Sequence, residues 1–354
     1  MSRRECSKIV IVPGILGSEL ILEDTDPSKA MKSRLIWGED LNVIWHSLAV
    51  QPNLLTSDKV RAGKLLRYLS GFPFPLNWKN NWKRVPVYGP LFEHLSKKYN
   101  VREGIDLLEF GYDWRSCNVK SGEALGEFLL RRTEPEDRLV LIAHSMGGLV
   151  CRALLANPAY SSVEARISKV IQLGTPVLGS PKAYFTLKNQ PKVSAIFDAA
   201  LRNRHRINPE LYHYLRTSLE TFQSLFQMLP PLSEQIVFDD SGTQYSALNE
   251  DLWKKELAPL LKGAEMFHTL IQGVSSEKLF TLYSTKILTE RAYLIDEMKR
   301  VISPSEPLIY GDGTVSISSA VAATEEQNRV PFENIKHDIL PNSPEVWKSL
   351  EKLL

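Results

Sequence analysis

Cysteine is scarce in this chain: there are three in 354 residues, Cys6, Cys117 and Cys151, far apart and odd in number. No C-x-x-C occurs, so neither a zinc cage nor a disulfide framework is indicated. The seven histidines are scattered and show no H-E-x-x-H or other ligand spacing, which argues against a metal. An excess of one charge is lacking too. The formal balance is +2 with no long Lys/Arg run, so nothing points to nucleic acid. Long apolar runs are absent: Ile9–Val12 is too short for the core of a leader peptide, and no later stretch approaches a membrane span. Internal repeats and low-complexity tracts are missing as well. The expectation is a soluble, cytoplasmic protein that works without a metal or cofactor.

With 43% hydrophobic and 24% charged residues, the chain has the means to bury an ordinary globular core. Its centre of organisation is Leu139–Val150. Leu139-Val140-Leu141-Ile142 reads as a short buried strand. Ala143-His144-Ser145-Met146-Gly147 follows, and Gly148 to Ala156 continues as a buried helix. A serine on a sharp strand-to-helix turn sits in strained backbone, and its neighbours two residues away press against the chain. Those neighbours must be small, as Ala143 and Gly147 are. A helix starting just after Ser145 also aims its N-terminal amides and positive dipole end at the place where negative charge develops. The plainer reading, a strand-to-helix turn with glycines for close packing, is weakened by the strand before and the helix after. His144 adjoins the serine on the other side of the turn, and is read as a packing or hydrogen-bonding residue.

Alternation of strands and helices frames this turn. Lys8–Val12 is a buried-strand pattern, followed by the turn Pro13-Gly14-Ile15-Leu16-Gly17-Ser18, of a kind able to offer a backbone N–H to an oxyanion. Helices are expected over Leu91–Tyr99 and Ser121–Arg132, a strand over Ile167–Leu173, and a closing helix over Ser343–Leu354. Between about Pro181 and Arg300 the alternation gives way to helical patterns, Glu210–Met228 and Leu248–Gly263, with Phe280–Tyr283 a candidate for resuming the sheet. The expected architecture is α/β: a mostly parallel central sheet with helices on both faces and an inserted helical cap. One domain spans 1–354, its core from about 8–22, 89–180 and 301–354 and its cap from about 23–88 and 181–300.

A serine hydroxyl needs a base within reach, and the base needs an acid to fix its tautomer. Taken in the chain order Ser, acid, His, the candidates are Ser145, Asp312 in Gly311-Asp312-Gly313, and His337 just ahead of the last helix. An isolated Asp in such a loop is more often a turn residue. The rivals Asp239, Asp240 and His268 fall in the expected cap, and Asp338 would point away. Two basic stretches, Trp78–Arg84 with its aromatics and Arg202–Arg206, suit a transient membrane-surface contact through the cap, although ordinary packing with solvated cations is the better explanation of both.

Several separate stretches together resemble one family, the lecithin:cholesterol acyltransferases with their lysosomal phospholipase and phospholipid:diacylglycerol acyltransferase relatives. They are Val12 to Ser18, Tyr112-Asp113-Trp114-Arg115, Ala143 to Gly148, Gly174-Thr175-Pro176, Leu229-Pro230 and Gly311-Asp312-Gly313-Thr314-Val315, and they run in the family order. The resemblance implies an α/β-hydrolase fold with Ser145, Asp312 and His337 as nucleophile, acid and base. It also implies an oxyanion hole from the amides of Ile15 and Met146, and a structural Tyr-Asp-Trp-Arg element with Arg115 buried and paired. The implied activity is cleavage of fatty acyl esters, mostly of phospholipid, with transfer to water or an alcohol. Family members with a disulfide-closed lid differ from this chain, which has no cysteine between Cys6 and Cys117. A carboxylesterase on small soluble esters and a non-enzymatic binding protein of the same fold are the alternatives.

Overall fold

In the computed structural model the described residues are 7–23, 33–49, 51–70, 84–188, 217–274, 277–305 and 307–354. The basic stretch Arg202–Arg206 and most of Trp78–Arg84 lie outside them. Six strands make the central sheet: β1 (Ser7–Val12), β2 (Leu107–Glu109), β3 (Arg138–His144), β4 (Ile167–Leu173), β5 (Leu279–Thr285) and β6 (Arg329–Glu333). Their order is β6-β5-β4-β3-β1-β2, and every pairing is parallel. β1 lies between β2 and β3, so the direction of winding reverses there and leaves a crevice at the carboxyl ends of β1 and β3.

Parallel strands covered on both faces should be apolar throughout, and the central pair β1 and β3 is so over Ile9–Val12 and Leu139–Ala143. Ile9, Ile11, Val140 and Ile142 face one layer with Leu91, Phe92 and Leu95 of α1 (Gly89–Tyr99). Val10, Val12, Leu141 and Ala143 face the other, with Leu125 and Leu129 of α2 (Asn118–Arg132) and the buried face of α3 (Met146–Leu155). The second layer is completed by Phe267 and Ile271 of α4 (Ala258–Gln272), and the first by Val346 and Leu350 of α5 (Pro344–Leu353). α1 stops where Asn100 turns left-handed at φ 48°, a position Asn tolerates.

Two excursions leave this core. The first pairs Arg34–Trp37, Ser18–Leu22 and Val60–Leu65 in an antiparallel sheet beside the helix Leu41–Ala49. The second, expected to be helical, also holds in its described part a four-stranded sheet of Gln244–Ser246, Gln235–Phe238, Tyr293–Ile295 and Val301–Pro304. Strands of three or four residues carry too little alternation to be read as such. The helix expected over Leu248–Gly263 begins later. Asn249 accepts a hydrogen bond from the Asp251 N–H and closes a separate short turn, and Pro259 fits only the first turn of the helix that starts at Ala258. Of the helix expected over Glu210–Met228, the described residues are helical at 217–219 and again over Gln223–Gln227, with a turn between them. Phe280–Tyr283 does resume the sheet: β5 sits between β4 and β6, so the block 181–300 contributes a core strand.

Glycine is required where α3 meets the end of β1. A Cβ on Gly147 would lie 2.5 Å from the carbonyl oxygens of Val12 and Pro13, backbone atoms that cannot step aside. Gly263 in α4, by contrast, has nothing within 4 Å of such a Cβ. Gly147→Ala should therefore destabilise by about 1–3 kcal/mol, whereas Gly263→Ala should stabilise by roughly 0.5–1 kcal/mol. Urea unfolding of the two variants checks both signs.

Candidate active site

Ser145 stands between β3 and α3 with φ 52° and ψ −126°, a backbone conformation costly for any residue with a side chain. The turn is held by the Ser145 N–H, which donates to the Leu173 carbonyl at 2.9 Å, and by the Gly148 N–H, which donates back to the Ser145 carbonyl at 3.0 Å. Strain stored here lifts the hydroxyl off the sheet toward the loops after β5 and β6.

Those loops bring Asp312 and His337 to it. Nε2 of His337 lies 2.9 Å from Ser145 Oγ, and Nδ1 lies 2.7 Å from Asp312 Oδ2. Serine and histidine are 192 positions apart in sequence, yet with Asp312 they form one hydrogen-bonded row at the carboxyl ends of the strands. Asp312 is 3% exposed, and its other oxygen accepts from the N–H groups of Thr314 at 2.9 Å and Val315 at 2.7 Å. Burial works to raise its pKa, but the His337 ring and these donors together hold the carboxyl below the usual range. Gly174, at φ 60° after β4, leaves the room this pair occupies: a Cβ there would come 2.9 Å from Asp312 Oδ2 and 3.1 Å from His337 Nδ1.

Opposite the serine, Pro13 to Ser18 forms the turn after β1. Four aromatic side chains grip its backbone with their polar tips. Tyr112 Oη donates to the Pro13 carbonyl at 2.8 Å, Trp37 Nε1 to Leu16 at 3.0 Å and Trp114 Nε1 to Ser18 at 3.1 Å, while the Gly14 N–H donates to Tyr88 Oη at 2.8 Å. The Tyr-Asp-Trp-Arg element thus buttresses this turn. Its Arg115 is buried, paired with Asp113 at 2.7 Å. The N–H groups of Ile15 and Met146 donate to no acceptor among the described residues, and Met146 is the first residue of α3. A Cβ on Gly14 would lie 2.9 Å from Ser145 Cβ, so the turn presses directly against the strand-to-helix turn at Ser145.

The rival residues are elsewhere. Asp239 closes a surface turn through Ser241 and Thr243, His268 is buried in α4 on the Leu229 carbonyl at 2.7 Å, and Asp338 is exposed. Among the described residues no cluster of three or more His, Cys, Asp or Glu side chains is set to hold a metal ion, and no helix is long and apolar enough to cross a membrane. Cys117 and Cys151 are free thiols. Sequence reasoning missed Tyr88, which lies 74 residues from its partner Gly14 and in no recognisable spacing with it.

His144 is half-buried and packs against His337, with ring centroids 5.0 Å apart. Burial, with the His337 ring adding to it, pushes its pKa down to about 3 from the ordinary 6.5. Its neutral form is thus the one that folds. Above pH 6.5 this costs nothing, but as the pH falls from 6.5 toward 3 the unfolded chain binds a proton that the folded chain refuses, and stability is lost. Urea unfolding between pH 7 and pH 4.5 should show wild type losing up to about 1.4 kcal/mol per pH unit more than His144→Gln. Parallel profiles would mean that the ring takes up its proton in place.

The model of the lecithin:cholesterol acyltransferase family matches residues 76–255, just over half of the chain. That stretch contains Ser145 and ends before Asp312 and His337. No curated protein matches in sequence. Among solved structures, a chain of the Tle4–Tli4 complex superposes with a TM-score of 0.66 at 13% identity, with 98% of each chain covered. The mature lipase BlEst2 of Bacillus licheniformis gives 0.41 at 12% identity, covering 100% of this chain and 94% of its own. Lipase 1 of Pelosinus fermentans gives 0.40 at 11%, covering 99% and 98%. At such identities the first of these shares the fold, and the two weaker ones add nothing to it.

Proposed function

The chain belongs to the lecithin:cholesterol acyltransferase family, an ester-hydrolysing or acyl-transferring enzyme of the α/β-hydrolase fold, and we propose that it cleaves lipid acyl esters through an acyl-enzyme on Ser145. The observation that carries this reading is the unbroken row from Ser145 Oγ through the His337 ring to Asp312, at 2.9 and 2.7 Å. Ser145 attacks the ester carbonyl while His337 Nε2 takes the hydroxyl proton, and Asp312 stabilises the imidazolium that results. The tetrahedral oxyanion is met by the N–H groups of Ile15 and Met146, at the positive end of α3. Collapse breaks the bond to the alcohol half, which leaves with the proton from His337. Water or an alcohol then gives its proton to the same ring and attacks the acyl-enzyme, and the ring returns that proton to Ser145 Oγ as the acid or new ester leaves.

Family membership supports a lipid acyl donor such as a phospholipid. An apolar side chain at the exposed Ile339, two residues past His337, fits that choice. The acceptor is decided by what reaches the acyl-enzyme first.

Product analysis tests this directly. Vesicles of mixed phospholipid containing a long-chain alcohol should yield lysolipid together with fatty acid or acylated alcohol, and Ser145→Ala should yield neither while keeping its fold. Asp312→Asn should lower kcat by about ten-thousand-fold, because the imidazole is then held in the wrong tautomer. Turnover retained by Ser145→Ala would remove the serine from the mechanism. Turnover of soluble esters alone would move the substrate away from bilayers.

A further inference from the structure

The reading of Ser145 and His337 as nucleophile and base leaves unused a second histidine and a tyrosine that are bonded to the backbone around them. Tyr88 is 4% exposed. Its Oη accepts the Gly14 N–H at 2.8 Å and lies 2.8 Å from His144 Nδ1. The other ring nitrogen of His144, Nε2, is 3.0 Å from the backbone carbonyl of His337. Donor accounting orders this row. A carbonyl can only accept, so Nε2 carries the ring proton, Nδ1 is the acceptor, and the tyrosine gives its own proton to Nδ1. Burial favours this arrangement, since it holds the hydroxyl in its protonated form and the imidazole in its neutral form.

We propose that Tyr88 and His144 are positioning residues that tie the oxyanion turn, the nucleophile elbow and the base loop into one rigid unit. Three pieces of chain meet in the row: Gly14 from the turn after β1, His144 next to Ser145 on the elbow, and His337 from the loop after β6. His337 is gripped at both ends of its backbone, its N–H donating to the Asp312 carbonyl at 3.0 Å and its carbonyl accepting from His144. Its ring is therefore aimed at Ser145 by a bridge anchored one residue from Ser145 itself. At the other end, Tyr88 takes up the Gly14 N–H and fixes the turn on which the Ile15 N–H is presented. Neither residue touches the reacting atoms. Their effect is on distance and angle, where a displacement of about 1 Å can cost a hundredfold in rate.

The test uses the full-length protein and a fluorophosphonate that phosphonylates an activated serine, with the maximal labelling rate and the half-saturating probe concentration measured separately. Tyr88→Phe should lower the maximal rate about tenfold and His144→Leu about a hundredfold, with half-saturation unchanged within about twofold. His144→Gln retains an amide donor for the His337 carbonyl and should recover most of the rate lost in His144→Leu. Adding Tyr88→Phe to His144→Leu should cost less than the product of the two single losses, because the two residues share one row and only the Gly14 bond is Tyr88's own. Thermal unfolding confirms that the compared variants are folded; should Tyr88→Phe not fold, the Gln–Leu comparison decides. A Tyr88→Phe rate within about twofold of wild type, equal rates for His144→Gln and His144→Leu, or a double variant that shows the product of the single losses would each overturn the relay. Absence of labelling in wild type would instead overturn the role given to Ser145.

Discussion

The backbone at Ser145 is the constraint on which the site is built. A residue with a side chain held at φ 52°, ψ −126° costs on the order of 1–3 kcal/mol, and persists only where its surroundings leave no other choice. Those surroundings are specific. Leu173 accepts the Ser145 N–H, Gly147 lies where a single added carbon would strike the Val12 and Pro13 carbonyls, and Ala143 is wholly buried two residues before the serine. Close approach of α3 to the end of β1 is what sets the first residue of that helix beside the turn after β1.

Around that point the fold uses its winding reversal. β1 and β3 are neighbours whose connections run to opposite edges, so the loops at their carboxyl ends part and leave a crevice. The turn after β1 fills one wall and is gripped by Tyr88, Tyr112, Trp37 and Trp114. Buried aromatic residues with a polar tip suit such a grip, because their rings fill the core while their hydroxyl or indole N–H satisfies a loop that would otherwise carry unpaired backbone groups. The opposite wall comes from the loops after β5 and β6, where Asp312 is fixed by its own two backbone donors before it meets His337.

Much of this is legible in the sequence where the physics is local. Apolar runs such as Ile9–Val12 and Leu139–Ile142 announce buried parallel strands, and the small residues flanking Ser145 announce the sharp turn. Asp312 and His337 are reachable only through chain order and family likeness, since nothing local distinguishes Gly-Asp-Gly from a surface turn. The short strands of the second excursion escape because three or four residues give no period to read. The helix at Ala258 starts later than its apolar pattern suggests, because Asn249 and Pro259 act as boundaries only once a turn is in place. Tyr88 and its bond to His144 lie beyond any local reading, since the pair is 56 residues apart and is joined by packing of α1 against the sheet.

The most direct test of the central claim is to catch the covalent intermediate. Protein mixed with an activated acyl ester and quenched in acid within a fraction of a turnover should gain the mass of one acyl group, and peptide mass spectrometry should find it on Ser145. An acyl group on any other residue, or product formed at full rate with no acylated protein at any time, would contradict the account.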